Sequence, residues 1–300
     1  MKLPNFFIVG APKTGTTSLH KYLSEHPNIF MSKMKGPHYY SGDILNEDRV
    51  AYKDDYLNLF KNANQNHLAV GESSVLYLYS DIAIKKIAQD FPKAKLIILL
   101  RNPIEVIQSW HAEMVWRRLE TNENFQSAWE STAKEKIDNI KKSKLDYRNI
   151  VRYGAQLQNA LKFFPQSQIK IIFFEKFSSE PKTTYHEIIN FLKLPHHNKN
   201  IFKTENKFKK YRIRILQDFL SFPPNFIVVI MKVIKFFFNV EEIGLFKKLL
   251  ALNTSNPKKP GISSRLKKSI IENYYDDIHF LSKILKKDLI NKWFTLPNKN

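Results

Sequence analysis

The chain has 300 residues, 43% of them hydrophobic, enough to pack the core of one large α/β domain. It contains no cysteine, which excludes structural disulfides, thiolate zinc sites and cysteine nucleophiles. Its 48 Lys and Arg against 28 Asp and Glu leave a formal charge of +20, a surface that attracts nucleotides, nucleic acid, acidic lipids or acidic glycans.

In chain order, Phe6-Phe7-Ile8-Val9 closed by Gly10 reads as a buried parallel strand, and Thr16 to Glu25 as a helix with Leu19, Tyr22 and Leu23 on one face. A second strand is expected near Asn28 to Met31, then a helix over Glu47 to Phe60 and a strand over Leu68 to Glu72. Ser80 to Phe91 is helical, and Lys95 to Leu100 is the clearest strand of the chain. Arg101-Asn102-Pro103 ends that strand, and Pro103 suits the first turn of a helix running to about Leu119. Helices over Phe125 to Leu145 and Tyr153 to Phe164, a strand over Ile169 to Phe174 and a final helix over Arg265 to Leu285 follow. This alternation predicts an α/β fold, a parallel central sheet flanked by helices, with a P-loop-like nucleotide-binding architecture. Residues 1–300 read as a single domain carrying a basic, aromatic, helical insertion at about 205–260.

Phe6 to Val9 is too short for a secretory core, and Phe219 to Val240 is broken by Pro223-Pro224, Lys232 and Lys235. A cytoplasmic protein is expected. The basic insertion allows peripheral contact with an acidic membrane surface.

The first strand leads through Gly10-Ala11-Pro12-Lys13-Thr14-Gly15-Thr16-Thr17 into a helix. Backbone N–H groups at a helix start, with the helix dipole, make a cradle for phosphate. A Walker A loop ends in Gly-Lys-Ser/Thr, whereas here Thr16 stands in the lysine's place and Lys13 lies inside the loop. That shift argues against an ATPase, a GTPase or a nucleoside kinase. A second anion site is read at Arg101, which follows a buried strand, with Ser109 eight residues on along the next helix. A guanidinium at a strand's carboxyl end beside a hydroxyl suits a phosphate monoester.

Phe7 to Leu19 resembles the 5′-phosphosulfate loop of sulfotransferases that use PAPS (3′-phosphoadenosine 5′-phosphosulfate), and is closer to the carbohydrate, heparan-type and bacterial members than to the small-molecule type. Arg101 to Ser109 is similar to that family's 3′-phosphate site. The resemblance implies Lys13 near the leaving phosphate, and Thr14, Gly15, Thr16, Thr17 and Ser18 around the 5′ side. Arg101 and Ser109 would then hold the 3′-phosphate. It also implies that Tyr153, at the head of Tyr153-Gly154-Ala155-Gln156-Leu157, orders the nucleotide region, and that Lys258 and Lys259 close over it. PAPS would be the donor and PAP the product, with no metal. The match covers about 1–195 well and 255–293 loosely.

Transfer to an acceptor needs a base for its proton and positive charge near the leaving group. In many glycan-type relatives the base is the Glu of a Lys-Glu-Pro-His-like segment. Here the segment is Lys35-Gly36-Pro37-His38-Tyr39-Tyr40, and Gly36 stands where that Glu would be. His38 and Glu72 are the replacements to weigh; loss of ordinary turnover is the third possibility. Lys35, His38, Tyr39 and His111 are read as acceptor contacts, with Arg117 beside the cleft. The expected activity is sulfuryl transfer from PAPS to a hydroxyl or amine, of a glycan or glycolipid. The alternative is a polyanion- or membrane-binding protein with a nucleotide-binding fold and no efficient turnover. No nucleic-acid module is evident, and two paired anion sites exceed what a general polyanion binder needs.

Overall fold

The computed structural model describes residues 2–46, 48–132, 143–199, 201–202, 210–224, 227, 244–255, 257 and 260–294. Lys258 and Lys259, residues 133–142 of the helix expected over Phe125 to Leu145, and nearly half of the 205–260 insertion lie outside these residues.

Five parallel strands form the sheet among the described residues, in the order β2-β3-β1-β4-β5. They are β1 (Phe6–Gly10), β2 (Ile29–Met31), β3 (Ala69–Ser73), β4 (Lys95–Leu100) and β5 (Ile169–Phe173). β1 is central, between β3 and β4, and its residues are buried on both faces. That is why it reads as an unbroken apolar run rather than as an alternation. The pleat still sorts its side chains. Phe7 and Val9 join one core with Leu96, Ile98 and Leu100, while Phe6 and Ile8 join a second core with Ile97 and Leu99.

The helices fill both faces. α1 (Thr16–Ser24) puts Leu19, Tyr22 and Leu23 into the second core, as its periodicity predicts. α2 (Lys53–Asn58) is shorter than the expected Glu47 to Phe60. Tertiary contacts claim the residues before it: Arg49 donates to the Tyr39 carbonyl at 3.2 Å, and Asp48 pairs with Arg117. α3 (Ala83–Asp90) precedes β4. α4 (Pro103–Trp116) begins with Pro103 after Asn102, whose side chain accepts from the Ile104 N–H. It stops where Arg118 takes a positive φ of 60°. α5 (Phe125–Ser131), α6 (Tyr153–Leu161), α7 (Phe174–Ser179) and α8 (Pro181–Leu192) follow.

The described part of the insertion comprises α9 (Arg214–Ser221), α10 (Gly244–Asn253) and an antiparallel pair, β6 (Lys210–Tyr211) with β7 (Thr254–Ser255). It is fastened to the end of α4 where Gln217 donates to the Trp116 carbonyl at 2.8 Å and Arg118 pairs with Asp218. α11 (Ser264–Leu285) then packs on α6, where Asp277 accepts the Gly154 and Ala155 N–H groups at 2.9 Å each, and α12 (Leu289–Phe294) follows. No helix among the described residues is long and apolar enough to cross a membrane.

Candidate active site

In a parallel sheet the loops after the strands gather at one edge, the usual place for a ligand crevice. The loops after β1 and β4 meet there. Between β1 and α1 the chain turns through Lys13 at φ 58° and Gly15 at φ 88°. A side chain at position 15 would be strained by that backbone, and its Cβ would lie 3.0 Å from the Phe177 ring. Gly15 thus caps α1 with bare backbone. The first turn of α1 carries no acidic residue, so nothing within it offsets the positive end of the helix dipole.

Arg101 joins this loop to the end of β4. Its Nη1 donates to the Lys13 carbonyl at 3.2 Å, its Nε donates to Glu105 Oε2 at 2.8 Å, and its guanidinium lies 4.2 Å from the centre of the Phe174 ring. These contacts hold the fork in place beside this loop. One cleft of about 760 Å³ takes in Lys13, Gly15, Thr16, Thr17 and Ser18 from the first loop together with Arg101 and Ser109 from the second. Its size falls within the range for small-molecule sites. Five cationic side chains line it among the described residues, Lys13, Lys35, Arg101, Arg117 and Lys144, against the two carboxylates Asp48 and Glu113. Burial, and then the nearby charge of Lys13, pull the Lys35 ammonium down to about 8. A polyanion entering this cleft relieves that repulsion.

Against known proteins, the model for the sulfotransferase domain matches residues 3–217. The chain belongs to the sulfotransferase domain family. Curated relatives include the bifunctional heparan sulfate N-deacetylase/N-sulfotransferase 3 of Homo sapiens, 25% identical over 72% of this chain and 25% of that protein. Carbohydrate sulfotransferase 15 of Rattus norvegicus is 25% identical over 64% of this chain and 44% of that protein. The chain therefore spans between a quarter and less than half of these relatives' lengths. The solved sulfotransferase of Alicyclobacillus acidocaldarius shares the fold over 98% of this chain and all of that one, at TM-score 0.71 and 24% identity.

Within this sulfotransferase domain several expected site residues sit elsewhere than on the cleft. Thr14 is fully buried, its hydroxyl donating to the Ala11 carbonyl at 2.7 Å, so its side chain shapes the loop from inside. Tyr153 is buried beneath the cleft, beside the Arg101 main chain and edge-on to Trp293. Tyr39 stacks on Tyr56 at 4.5 Å between ring centres and does not line the cleft. His111 faces the other side of α4, where it lies 2.8 Å from the Asn122 carbonyl and lines a separate cavity of about 480 Å³. Two residues along a helix is more than half a turn, which is why Ser109 and His111 part company.

The two candidate bases also separate. His38 lines the cleft with its Nδ1 buried and without a hydrogen-bond partner. Burial, helped by Lys35, holds its imidazole down to about 3, so the ring is neutral and a weak proton acceptor at neutral pH. Glu72 does not line the cleft. It is fully buried below the cleft floor, accepting from Tyr56 Oη at 2.7 Å, from Tyr77 Oη at 3.2 Å and from Ser74 Oγ. Ser74 Oγ in turn accepts the His38 N–H at 2.9 Å, so Glu72 fixes the loop that carries His38. Sequence reasoning missed Glu113, which lines the cleft with its Oε2 at 3.0 Å from Lys13 Nζ.

Burial raises the Glu72 carboxyl from 4.5 to about 7, and the three hydroxyl bonds offset only part of that rise. Between these values the folded chain keeps a proton that the unfolded chain has released. The stability it brings is complete below pH 4.5 and is lost as pH rises through 7. Over that interval the site contributes a decline of roughly 3 kcal/mol at most. Urea unfolding at pH 5 and pH 7.5 should therefore show a smaller stability difference in Glu72→Gln than in the unsubstituted protein. An equal difference in both proteins would contradict this.

Proposed function

We propose that this domain transfers a sulfuryl group from PAPS to a hydroxyl or amine of a glycan or glycolipid acceptor and releases PAP. The observation that carries the reading is the pair of anion-binding elements at neighbouring strand ends, joined by the bond from Arg101 to the Lys13 carbonyl. Backbone and side chains of Gly15, Thr16, Thr17 and Ser18, with Lys13, would hold the 5′ side, while Arg101 and Ser109 would hold the 3′-phosphate. The donor supplies an activated sulfuryl group whose leaving oxygen belongs to a phosphate. Lys13 offers the positive charge that such a departure requires. The acceptor class is supported by the names of the relatives, which act on heparan sulfate or carbohydrate.

Calorimetry with PAP and with 5′-ADP tests the reading directly. PAP is expected to bind at least tenfold more tightly, because only PAP carries the phosphate that Arg101 and Ser109 would recognise. Equal affinities would remove the second anion site and the donor assignment with it.

A further inference from the structure

We infer that Glu113 is the catalytic base of the transfer, a carboxylate supplied from α4 in place of the one missing at Gly36. The inference rests on the sulfuryl-transfer reading above.

Gly36 lacks a carboxylate for a backbone reason. It sits at φ 80°, where a side chain is strained, and a Cβ there would lie 3.1 Å from His38 Nε2. A glutamate at this position would be strained by the turn and would crowd the His38 ring. Of the titratable groups on the cleft wall, the His38 ring is buried, its Nδ1 wholly so. Asp48 is more than half exposed and is paired with Arg117. Glu72 does not reach the wall at all. Glu113 remains. Its side chain is 20% exposed, on the face of α4 that runs through Ser109, Glu113 and Arg117, four residues apart each time.

That stripe places Glu113 one turn beyond the proposed 3′-phosphate ligand Ser109 and against Lys13, the cation proposed for the leaving group. In an in-line transfer the acceptor and leaving oxygens sit on opposite sides of the one sulfur, so a single cleft can hold the base for the first and the cation for the second. In the transfer, the acceptor O–H (or N–H) gives its proton to a Glu113 carboxylate oxygen as its heteroatom forms the new bond to sulfur. The bond from sulfur to the phosphate oxygen breaks, its electron pair stays on that oxygen, and Lys13 neutralises the charge. Glu113, now neutral, returns the proton to solvent. Atoms, charge and electrons balance with no further reactant. The charged groups around Glu113 are Lys13 from the phosphate loop, Lys35 from the loop after β2, and Arg117 with Asp48 at the far end of the stripe.

The test compares unsubstituted protein, Glu113→Gln and Glu113→Asp. PAP affinity is measured by calorimetry, and single-turnover rates are measured with PAPS and a desulfated heparin mixture, which offers both hydroxyls and amines. Glu113→Gln should bind PAP within tenfold of the unsubstituted protein and transfer about 10²- to 10⁴-fold more slowly. The fall in rate toward acid pH should vanish in it, and Glu113→Asp should recover at least tenfold of the loss. The inference is overturned if Glu113→Gln transfers within threefold of the unsubstituted protein. It is also overturned if the rate losses of both variants merely track lost PAP binding, or if the acid limb survives in Glu113→Gln. Failure of the unsubstituted protein to bind PAP would instead overturn the donor reading itself.

Discussion

Lys13→Ala is expected to slow sulfuryl transfer by about 10²- to 10³-fold, the usual cost of removing one preorganised group that faces developing negative charge. Three observations set the size. Lys13 projects from a loop whose backbone is fixed by Gly15 on one side and by the Arg101 bond to its carbonyl on the other. Its ammonium is held at 3.0 Å by Glu113 and so is already positioned before any ligand arrives. Removing it also leaves the Glu113 carboxylate without this partner in a cleft meant for anions, which adds repulsion to the lost attraction. Lys13→Arg should rescue little, because a planar fork does not replace a compact ammonium on this strained turn. Rates measured in single turnover at saturating PAPS decide the matter. A Lys13→Ala protein within threefold of the unsubstituted rate would rule out the leaving-group role.

Arg101→Ala should weaken PAP binding by about 10- to 100-fold and leave 5′-ADP binding nearly unchanged, since hydrogen bonds to charged groups contribute about 1.5–3 kcal/mol. The comparison of two nucleotides matters. Arg101 also braces the Lys13 carbonyl and packs on Phe174, so its loss could loosen the phosphate loop as a whole. Loosening would weaken both nucleotides together, whereas loss of a 3′-phosphate ligand changes their ratio. Calorimetry of both nucleotides on the variant separates the two, and an unchanged ratio would remove Arg101 from the 3′-phosphate site.

Much of the fold was legible because its strands are short, apolar and punctuated. β4 matches its expected bounds at Lys95 and Leu100, and β1, β2, β3 and β5 fall within a residue or so of theirs. β1 and β4 are almost wholly buried, so composition alone marks them. α2 was overestimated because its leading residues look helical locally but are held by Arg117 and by the Tyr39 carbonyl. That the Gly10–Thr17 loop and Arg101 with Ser109 share one cleft was legible for a related reason: each is set by backbone geometry next to a strand end. Which way a helix faces is less legible. His111 and Glu113 both belong to α4, yet one fills a separate cavity and the other meets a lysine a hundred residues earlier. Tyr39, Tyr153 and Glu72 illustrate the same limit, since only packing decides whether a polar residue near a strand end looks into the cleft or beneath it.

The bond between Arg101 and Glu105 bears on how the proposed reaction would release its product. Glu105 is half exposed and only one turn along α4, so it can yield the guanidinium to an incoming phosphate and reclaim it afterwards. Such a resident competitor subtracts from the affinity for the spent nucleotide as much as for the fresh one. A site lined by five cations would otherwise grip a polyanion tightly enough to stall after each cycle. Under the proposed transfer, a cleft that carries its own replacement counter-ion would let product depart faster while the guanidinium stays aimed for the next donor.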